Sequence, residues 1–224
     1  MNWKYILLSI FSLTLSQFPC NGQTADLEKF ESVLGPEKSK VLTQLVEDFE
    51  NRFLPTYYPN SNLTEGYLAF MEQMAKRNFP KREELILKEN EKKYRDSRLI
   101  NEKYLFIDSV WLDKKGIKSV WTFTDSSGEN HTEESFRPLN KDEYQVKDSI
   151  LEIEKKIFRF NSYSDYTKAL EAVKDESPFI ATYFTLVTQF GLVGSSVLFP
   201  IIKEDNLDIN GPVERRVLVL DMIY

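Results

Sequence analysis

Side chains that carry most enzyme chemistry are scarce in this chain of 224 residues. His131 is its one histidine and Cys20 its one cysteine, so a zinc site made of histidine and cysteine ligands cannot be assembled. A Ser-His-Asp triad would have to use His131, which lies in the polar stretch 126–132 and is predicted to be a solvated loop residue. The chain also lacks the glycine-rich loops of nucleotide triphosphatases and dinucleotide-binding enzymes.

Carboxylates, lysines and tyrosines are the remaining candidates for catalysis. Two acids can hydrolyse a glycoside, one protonating the leaving oxygen while the other attacks or activates water. The 35 acidic residues permit such a pair without identifying one. Glu152 and Glu154, for example, lie two positions apart on a predicted helix and face different directions. A carboxylate-dependent hydrolase therefore stays open as an alternative, with no catalytic residue assigned.

The segment 206–211 matches the first half of an EF-hand calcium loop, with oxygen ligands at positions 1, 3 and 5 and glycine at position 6. Asn206 stands where aspartate is usual, and Val217 occupies position 12, where a bidentate acid is needed. Because that acid is missing, we interpret the segment as an Asn-Gly turn and predict no metal and no cofactor.

Charge argues against nucleic acid as a partner. The formal net charge is −6, whereas a nucleic-acid binder needs a clustered basic surface. The stretch 76–98 does hold nine basic and five acidic residues, a net charge of +4. Its acids and bases are interleaved, and pairs such as Glu91 and Arg95 lie four positions apart. We therefore predict a solvated, salt-bridged helix there rather than a basic face for lipids or polyanions.

The N-terminal residues predict export. Lys4 precedes an uncharged apolar run, 5–15, which has the length of a signal-peptide core and is too short to span a bilayer as a helix. Small residues before Gln23 predict a signal peptide at 1–22 and a single α+β domain at 23–224. That cut removes Cys20, and an exported chain without disulfides is typical of a bacterial envelope. Alternatively, Cys20 is acylated and the protein is a lipoprotein that contacts the membrane through this anchor alone.

The spacing of apolar residues predicts the elements that would position any site. Helical spacing runs from 26 to 53 with an interruption at Gly35, and it resumes at 64, after which Pro80 ends one helix and opens another. It returns from 146 to 173. The runs 105–112 and 117–124 instead predict a β-hairpin with Gly116 in a left-handed conformation, followed by a weaker third strand near 132–139.

The run 179–202 contains no charged residue and admits two interpretations. Its 24 residues could span a bilayer as one helix. Against this, it contains threonines and serines, two glycines and Pro200, and no basic cluster follows it. We therefore predict two buried segments that meet at 191–194, with Phe184 and Phe190 as candidate core side chains.

Together these patterns predict an α+β, mainly helical fold with N-terminal helices, a central β-hairpin or small antiparallel sheet, and a C-terminal apolar helical core. The expected function is that of an exported, soluble bacterial envelope protein, periplasmic or extracellular, which binds a protein or a small ligand without catalysis. The alternatives are the hydrolase and a membrane-attached structural protein. A deep pocket with convergent acids would favour the hydrolase, and an exposed apolar patch would favour the binding protein.

Overall fold

The computed structural model describes residues 20–125 and 127–223, with side chains from 24 to 222 except 126. The run 5–15 lies outside these residues. The helices are α1 (Cys20–Leu34), α2 (Pro36–Asp48), α3 (Leu54–Tyr57), α4 (Leu63–Ala75), α5 (Arg82–Leu85), α6 (Lys88–Asp96), α7 (Leu99–Lys103), α8 (Lys141–Gln145), α9 (Lys147–Glu154), α10 (Asp165–Val173), α11 (Pro178–Phe190), α12 (Ser195–Glu204) and α13 (Pro212–Ile223). The strands are β1 (Tyr104–Phe106), β2 (Ser109–Asp113), β3 (Gly116–Thr124), β4 (Asn130–Pro138) and β5 (Phe158–Phe160). The predicted α+β, mainly helical class is confirmed.

The N-terminal helices follow their apolar spacing. Gly35, with a φ of 90°, separates α1 from α2, and Pro36 opens α2. The chain then continues through a π-helical turn, Phe49–Phe53, into α3, which contains Pro55. Proline lacks the N–H that an α-helix would need at this position, and the wider π turn just before it accommodates that loss. Helical structure therefore extends through Pro55.

The predicted charged helix at 76–98 is broken into short pieces. The helix α4 begins at a capping box formed by Asn62 and Glu65 and ends at Ala75, before the basic stretch. Only α5 and α6 follow before residue 98. The Glu91–Arg95 pair does form, with 2.9 Å between Glu91 Oε1 and Arg95 Nη2, and Glu91 also pairs with Arg82. The salt-bridged character of the stretch and the predicted break at Pro80 are confirmed, whereas the further division between α5 and α6 was not predicted.

Two small antiparallel sheets interrupt the helices. The first pairs β1 with β5, and the second has the order β2-β3-β4. The predicted hairpin is confirmed as β2 and β3, and the weaker third strand as β4. The first predicted run, however, is divided, because its start forms β1 and pairs with β5 instead. Ile117 and Trp121 are buried on the inner face of β3, while Lys118 and Thr122 lie on the opposite face, as the alternation of side chains predicts.

The predicted left-handed conformation of Gly116 is wrong. Gly116 has no positive φ, and it pairs with Asp113 and Pro138 as the first residue of β3. A Cβ atom at this position would lie 2.2 Å from the carbonyl oxygen of Arg137. Glycine is therefore required by the close approach of β4 rather than by the backbone conformation of a turn.

The C-terminal helices α11, α12 and α13 complete the core. In the part of the chain that the structure describes, no helix is long and apolar enough to cross a membrane. The run 179–202 forms α11 and α12, which are separated by the loop 191–194, so the division into two segments is confirmed, but only one face of each helix is buried. Phe179 is buried and Phe184 is half-buried, but Phe190 is 72% exposed, so its assignment to the core is wrong.

Candidate functional site

A buried ion pair joins the start of β1 to the C-terminal helix. Lys103, the last residue of α7, is 2% exposed, and its Nζ lies 2.6 Å from Oδ1 of Asp221 on α13, a side chain that is 8% exposed. The same Nζ donates to the carbonyl oxygen of Leu220 at 3.4 Å and lies 4.8 Å from the ring centre of Tyr104. Removing two charges from water costs free energy. The attraction between the two charges and their other hydrogen bonds must therefore offset that desolvation cost.

Two buried tyrosines accompany this pair. The hydroxyl of Tyr183, on α11, donates to Asp221 Oδ1 at 3.4 Å. Burial raises the pKa of Tyr183 well above its usual value of 10, and it raises the pKa of Tyr166, on α10, in the same direction. Both hydroxyls therefore stay protonated at neutral pH and act as neutral polar groups beside the ion pair.

Lys103 and Asp221 line a cavity of about 170 Å³, which we call the Lys103 cavity. Its other walls are largely apolar and aromatic: they are formed by Tyr104, Phe158, Phe160, Tyr183, Val187, Val193 and the loop 191–194. An engineered apolar cavity of roughly 150 Å³ accepts one benzene molecule. The Lys103 cavity therefore has the volume of a single ring, with a cation in its wall.

The ammonium group of Lys103 has two oxygen acceptors and the face of the Tyr104 ring among the described residues. A lysine ammonium has three N–H donors, and the described residues supply two acceptors, Asp221 Oδ1 and the carbonyl of Leu220. An oxygen atom in the cavity could accept from the third. Because the neighbouring carboxylate already balances the charge of Lys103, a neutral oxygen suits this position better than a second carboxylate.

Exposed apolar side chains lie next to the cavity. Leu192, which lines the cavity, is 46% exposed, and Phe190 at the end of α11 is 72% exposed. Gly191 between them has a φ of 80°, which ends α11 and starts the loop. Large apolar side chains held in solvent beside a cavity are typical of a binding site.

A larger cleft of about 400 Å³ lies beside β3 and α10, but two of its acids have structural partners. Oε2 of Glu102 accepts from the backbone N–H groups of Asp165 (2.9 Å) and Tyr166 (3.4 Å), at the start of α10. Lys38 pairs with both Glu102 (2.5 Å) and Asp165 (3.2 Å). Burial would raise the pKa of Asp165, but hydrogen bonds from Lys168 and Lys38 lower it overall. These contacts fix α10 against α2 and α7.

His131 is a strand residue rather than the loop residue that the sequence predicts, although its side chain is 43% exposed. It lies on β4 opposite Phe123, because strand pairing begins at Asn130, one residue before it. Its Nε2 is 2.6 Å from Oδ2 of Asp125, and its ring stacks on Phe123 with 5.5 Å between centres. Asp125, Glu129 and His131 each place one possible ligand atom within 4.8 Å of the other two.

The paired acids and the segment 206–211 have structural contacts of their own. Glu152 is exposed and pairs with Lys155 at 2.5 Å, while Glu154 is largely buried and faces Arg137 at 3.5 Å, so the two acids do not converge. The segment 206–211 is the turn between α12 and α13. There, Asp208 Oδ1 accepts the backbone N–H of Asn210 at 2.9 Å. Within the described residues it holds no metal-type cluster.

Sequence reasoning missed the Lys103–Asp221 pair because its members are 118 positions apart. One local signal was available: Asp221 is a single acid in the otherwise apolar run 217–223. Comparison of the chain with protein-family models, curated proteins and solved structures gives no match. The function is therefore argued from the chemistry of the Lys103 cavity.

Proposed function

We propose that the protein is a non-catalytic binding module whose ligand inserts one apolar ring, bearing a neutral carbonyl or amide oxygen, into the Lys103 cavity. The observation that carries this proposal is a lysine 98% removed from solvent in the wall of an aromatic-lined cavity. Described oxygen acceptors use two of its three N–H donors. Ligand sites combine apolar walls with a few convergent polar groups in this way.

Binding suits the cavity better than two-acid hydrolysis. Among the described residues that line the cavity, Asp221 is the one acid, and its Oδ1 accepts a hydrogen bond from Lys103. Hydrolysis by paired acids requires a second carboxyl group roughly 5–10 Å away, flanking the scissile bond. The protonated hydroxyl of Tyr183 and the ammonium of Lys103 can hold a ligand oxygen, but neither activates water at neutral pH.

Calorimetric titration with benzamide, toluene and benzoate tests the proposal. We expect benzamide to bind one-to-one. Toluene fills the same volume but displaces water from the Lys103 donor without replacing its hydrogen bond, so it should bind at least tenfold more weakly. Benzoate should also bind more weakly than benzamide, because its charge would approach the carboxylate of Asp221.

The matched variant is Lys103→Met combined with Asp221→Leu, which removes both charges while keeping apolar volume. We expect it to lose at least tenfold in benzamide affinity, whereas Lys155→Met, at an exposed lysine, should bind like the wild type. Circular dichroism melts establish that each variant is folded. Unchanged affinity in the double variant, or the absence of saturable binding by any of the three probes, would overturn the proposal.

We also propose that the protein is exported to a bacterial periplasm or beyond, without a lipid on Cys20. The support is the sequence pattern of Lys4 and the run 5–15. A cut before Gln23 would fall in the first turn of α1, seven residues ahead of Phe30, the first buried side chain described there. Intact-mass measurement on protein from its native host should give a chain that begins at Gln23. A mass that includes Met1, or a diacylglyceryl group on Cys20, would contradict this proposal.

A further inference from the structure

We propose that Asp125, Glu129 and His131 form a site for one divalent transition-metal ion of the Zn²⁺ class; we call these three residues the His131 cluster. Their ligand atoms, one nitrogen and two carboxylate oxygens, lie within 4.8 Å of one another at the end of the β3–β4 hairpin. This site is independent of the Lys103 cavity, whose lining includes none of the three residues.

The strand register brings the three side chains together. Phe123 pairs with His131, and the backbone N–H of Asp125 donates to the carbonyl oxygen of Glu129 at 2.9 Å, which continues the ladder by one more opposed pair. Side chains two apart share a face, so Asp125 and Glu129 lie on the same face as Phe123 and His131. The carboxylates of Asp125 and Glu129 are like charges directly opposite each other, which destabilises a hairpin. A cation bound between them would turn this repulsion into attraction to the metal.

Two of the three ligand atoms, on Asp125 and His131, are held before any metal arrives. Oδ1 of Asp125 accepts the backbone N–H groups of Ser127 (2.8 Å) and Glu129 (3.1 Å), so Oδ2 is free to face Nε2 of His131. The imidazole stacks on Phe123, which itself stacks on Tyr163 with 4.2 Å between ring centres. Orientation of ligands by surrounding contacts strengthens metal binding.

The donor set selects the metal. Zn²⁺ binds imidazole nitrogen and carboxylate oxygen at about 2.0–2.2 Å, which places neighbouring ligands about 3.3 Å apart in a tetrahedron. The present 2.6 Å between His131 Nε2 and Asp125 Oδ2 is a hydrogen bond, and it would lengthen by less than about 1 Å when a metal replaces the proton. Ca²⁺ and Mg²⁺ prefer an all-oxygen shell, so the imidazole disfavours both.

The site is open enough for exchange with solvent. The side chain of His131 is 43% exposed, and Asp125 lines the cleft of about 400 Å³ beside β3. Three protein ligands leave at least one coordination position of a tetrahedral metal to water. We therefore expect reversible binding by the folded protein.

Calorimetric titration of the chelator-treated full chain with ZnCl₂ tests the site, and the visible spectrum of bound Co²⁺ reports the coordination. We expect one Zn²⁺ per chain, with at least tenfold weaker binding in His131→Gln and in Glu129→Gln. Glu134→Gln is the matched control. Glu134 is exposed, pairs with Val120 of β3, and lies on the face of β4 opposite to His131. Circular dichroism melts establish whether each variant is folded. If one test variant fails to fold, the other still tests the site.

Three results would overturn the site. The first is the absence of saturable Zn²⁺ binding by the wild-type chain. The second is equal affinity in the wild type and His131→Gln, which would assign the metal to carboxylates elsewhere. The third is displacement of Zn²⁺ by equimolar Ca²⁺, which would indicate an exposed acidic patch without a nitrogen ligand.

Discussion

The Lys103–Asp221 pair provides the sharpest test of the candidate site through a double-mutant cycle. Lys103→Met leaves the carboxylate of Asp221 8% exposed, with the hydroxyl of Tyr183 at 3.4 Å as its side-chain donor among the described residues. Breaking a buried pair at one member costs about 3–5 kcal/mol, because an uncompensated charge remains. Asp221→Leu leaves Lys103 with the carbonyl of Leu220 and the ring of Tyr104, and it should cost a similar amount.

The double variant Lys103→Met with Asp221→Leu should recover most of this loss. Replacing a buried ion pair by apolar side chains of similar volume is often neutral or stabilising. We expect the double variant to lie within about 1 kcal/mol of the wild type. The coupling energy between the two substitutions would then be several kcal/mol, which is typical of direct contact.

Urea unfolding followed by circular dichroism measures the cycle. Each single variant should also melt roughly 6–20 °C below the wild type, as 3–5 kcal/mol implies for a chain of this size. Lys155→Met, which breaks an exposed pair with Glu152, should change stability by less than about 1 kcal/mol. The reasoning is refuted if either single variant is as stable as this control, or if the two single losses simply add in the double variant.

Glycine, phenylalanine and tyrosine residues test the packing and the pH dependence of the fold. Gly116→Ala should destabilise by about 1–3 kcal/mol because its Cβ would meet the β4 backbone at 2.2 Å, whereas Gly66→Ala, in ordinary contact inside α4, should stabilise by up to about 1 kcal/mol. Urea melts giving the same sign for both would contradict this. In thermal melts, Phe179→Ala should lower the free energy of unfolding by about 3–5 kcal/mol and Phe190→Ala by less than about 0.5 kcal/mol. A large loss of stability in Phe190→Ala would mean that α11 turns its other face to the core. Burial raises the pKa of Tyr183 well above 10, so above pH 10 the unfolded chain releases a proton that the folded chain keeps. The free energy of unfolding should therefore fall above pH 10, by up to about 1.4 kcal/mol per pH unit for each such tyrosine. The absorbance of tyrosinate from these residues should appear only when the chain unfolds. Tyrosinate that forms in the folded state would show that the hydroxyl is not buried.

Local periodicity predicted those elements whose pattern is set by their own residues. The alternation along β3 put Ile117 and Lys118 on different faces, as observed, because neighbouring side chains of a strand point to opposite faces. The loop 191–194 was also predicted, since glycines interrupt an otherwise apolar run. In both cases the decisive information lies within a few positions of the residue concerned.

Partners distant in the chain explain the errors. A need for glycine at 116 was predicted, but its cause is the backbone of β4 about twenty positions away rather than a turn. His131 has polar neighbours in sequence, and only its pairing with Phe123 makes it a strand residue. Phe190 belongs to an apolar run, yet it follows the last buried residue of α11, Val187, and points outward at the end of that helix.

The candidate site was beyond sequence reasoning for the same reason. Lys103 follows Asn101 and Glu102, which gives it the local composition of a solvated helix end. Its burial depends on α13, which brings Asp221 to it from 118 positions away. A single acid within the apolar run 217–223 signals that some partner must exist, because an unpaired carboxylate is too costly to bury, but it does not identify that partner.

The two proposed sites differ in how closely they are tied to the core, and this difference determines which variants can test them. The Lys103 cavity joins β1 and β5 to α11 and α13, so removing one charge there disturbs stability and binding together. Only a charge-balanced double substitution separates the two effects. The His131 cluster lies at the end of a hairpin whose outer strand, β4, is almost entirely exposed. Single substitutions there remove a metal ligand without opening a buried cavity, so a loss of Zn²⁺ affinity with an unchanged melt reports on coordination alone.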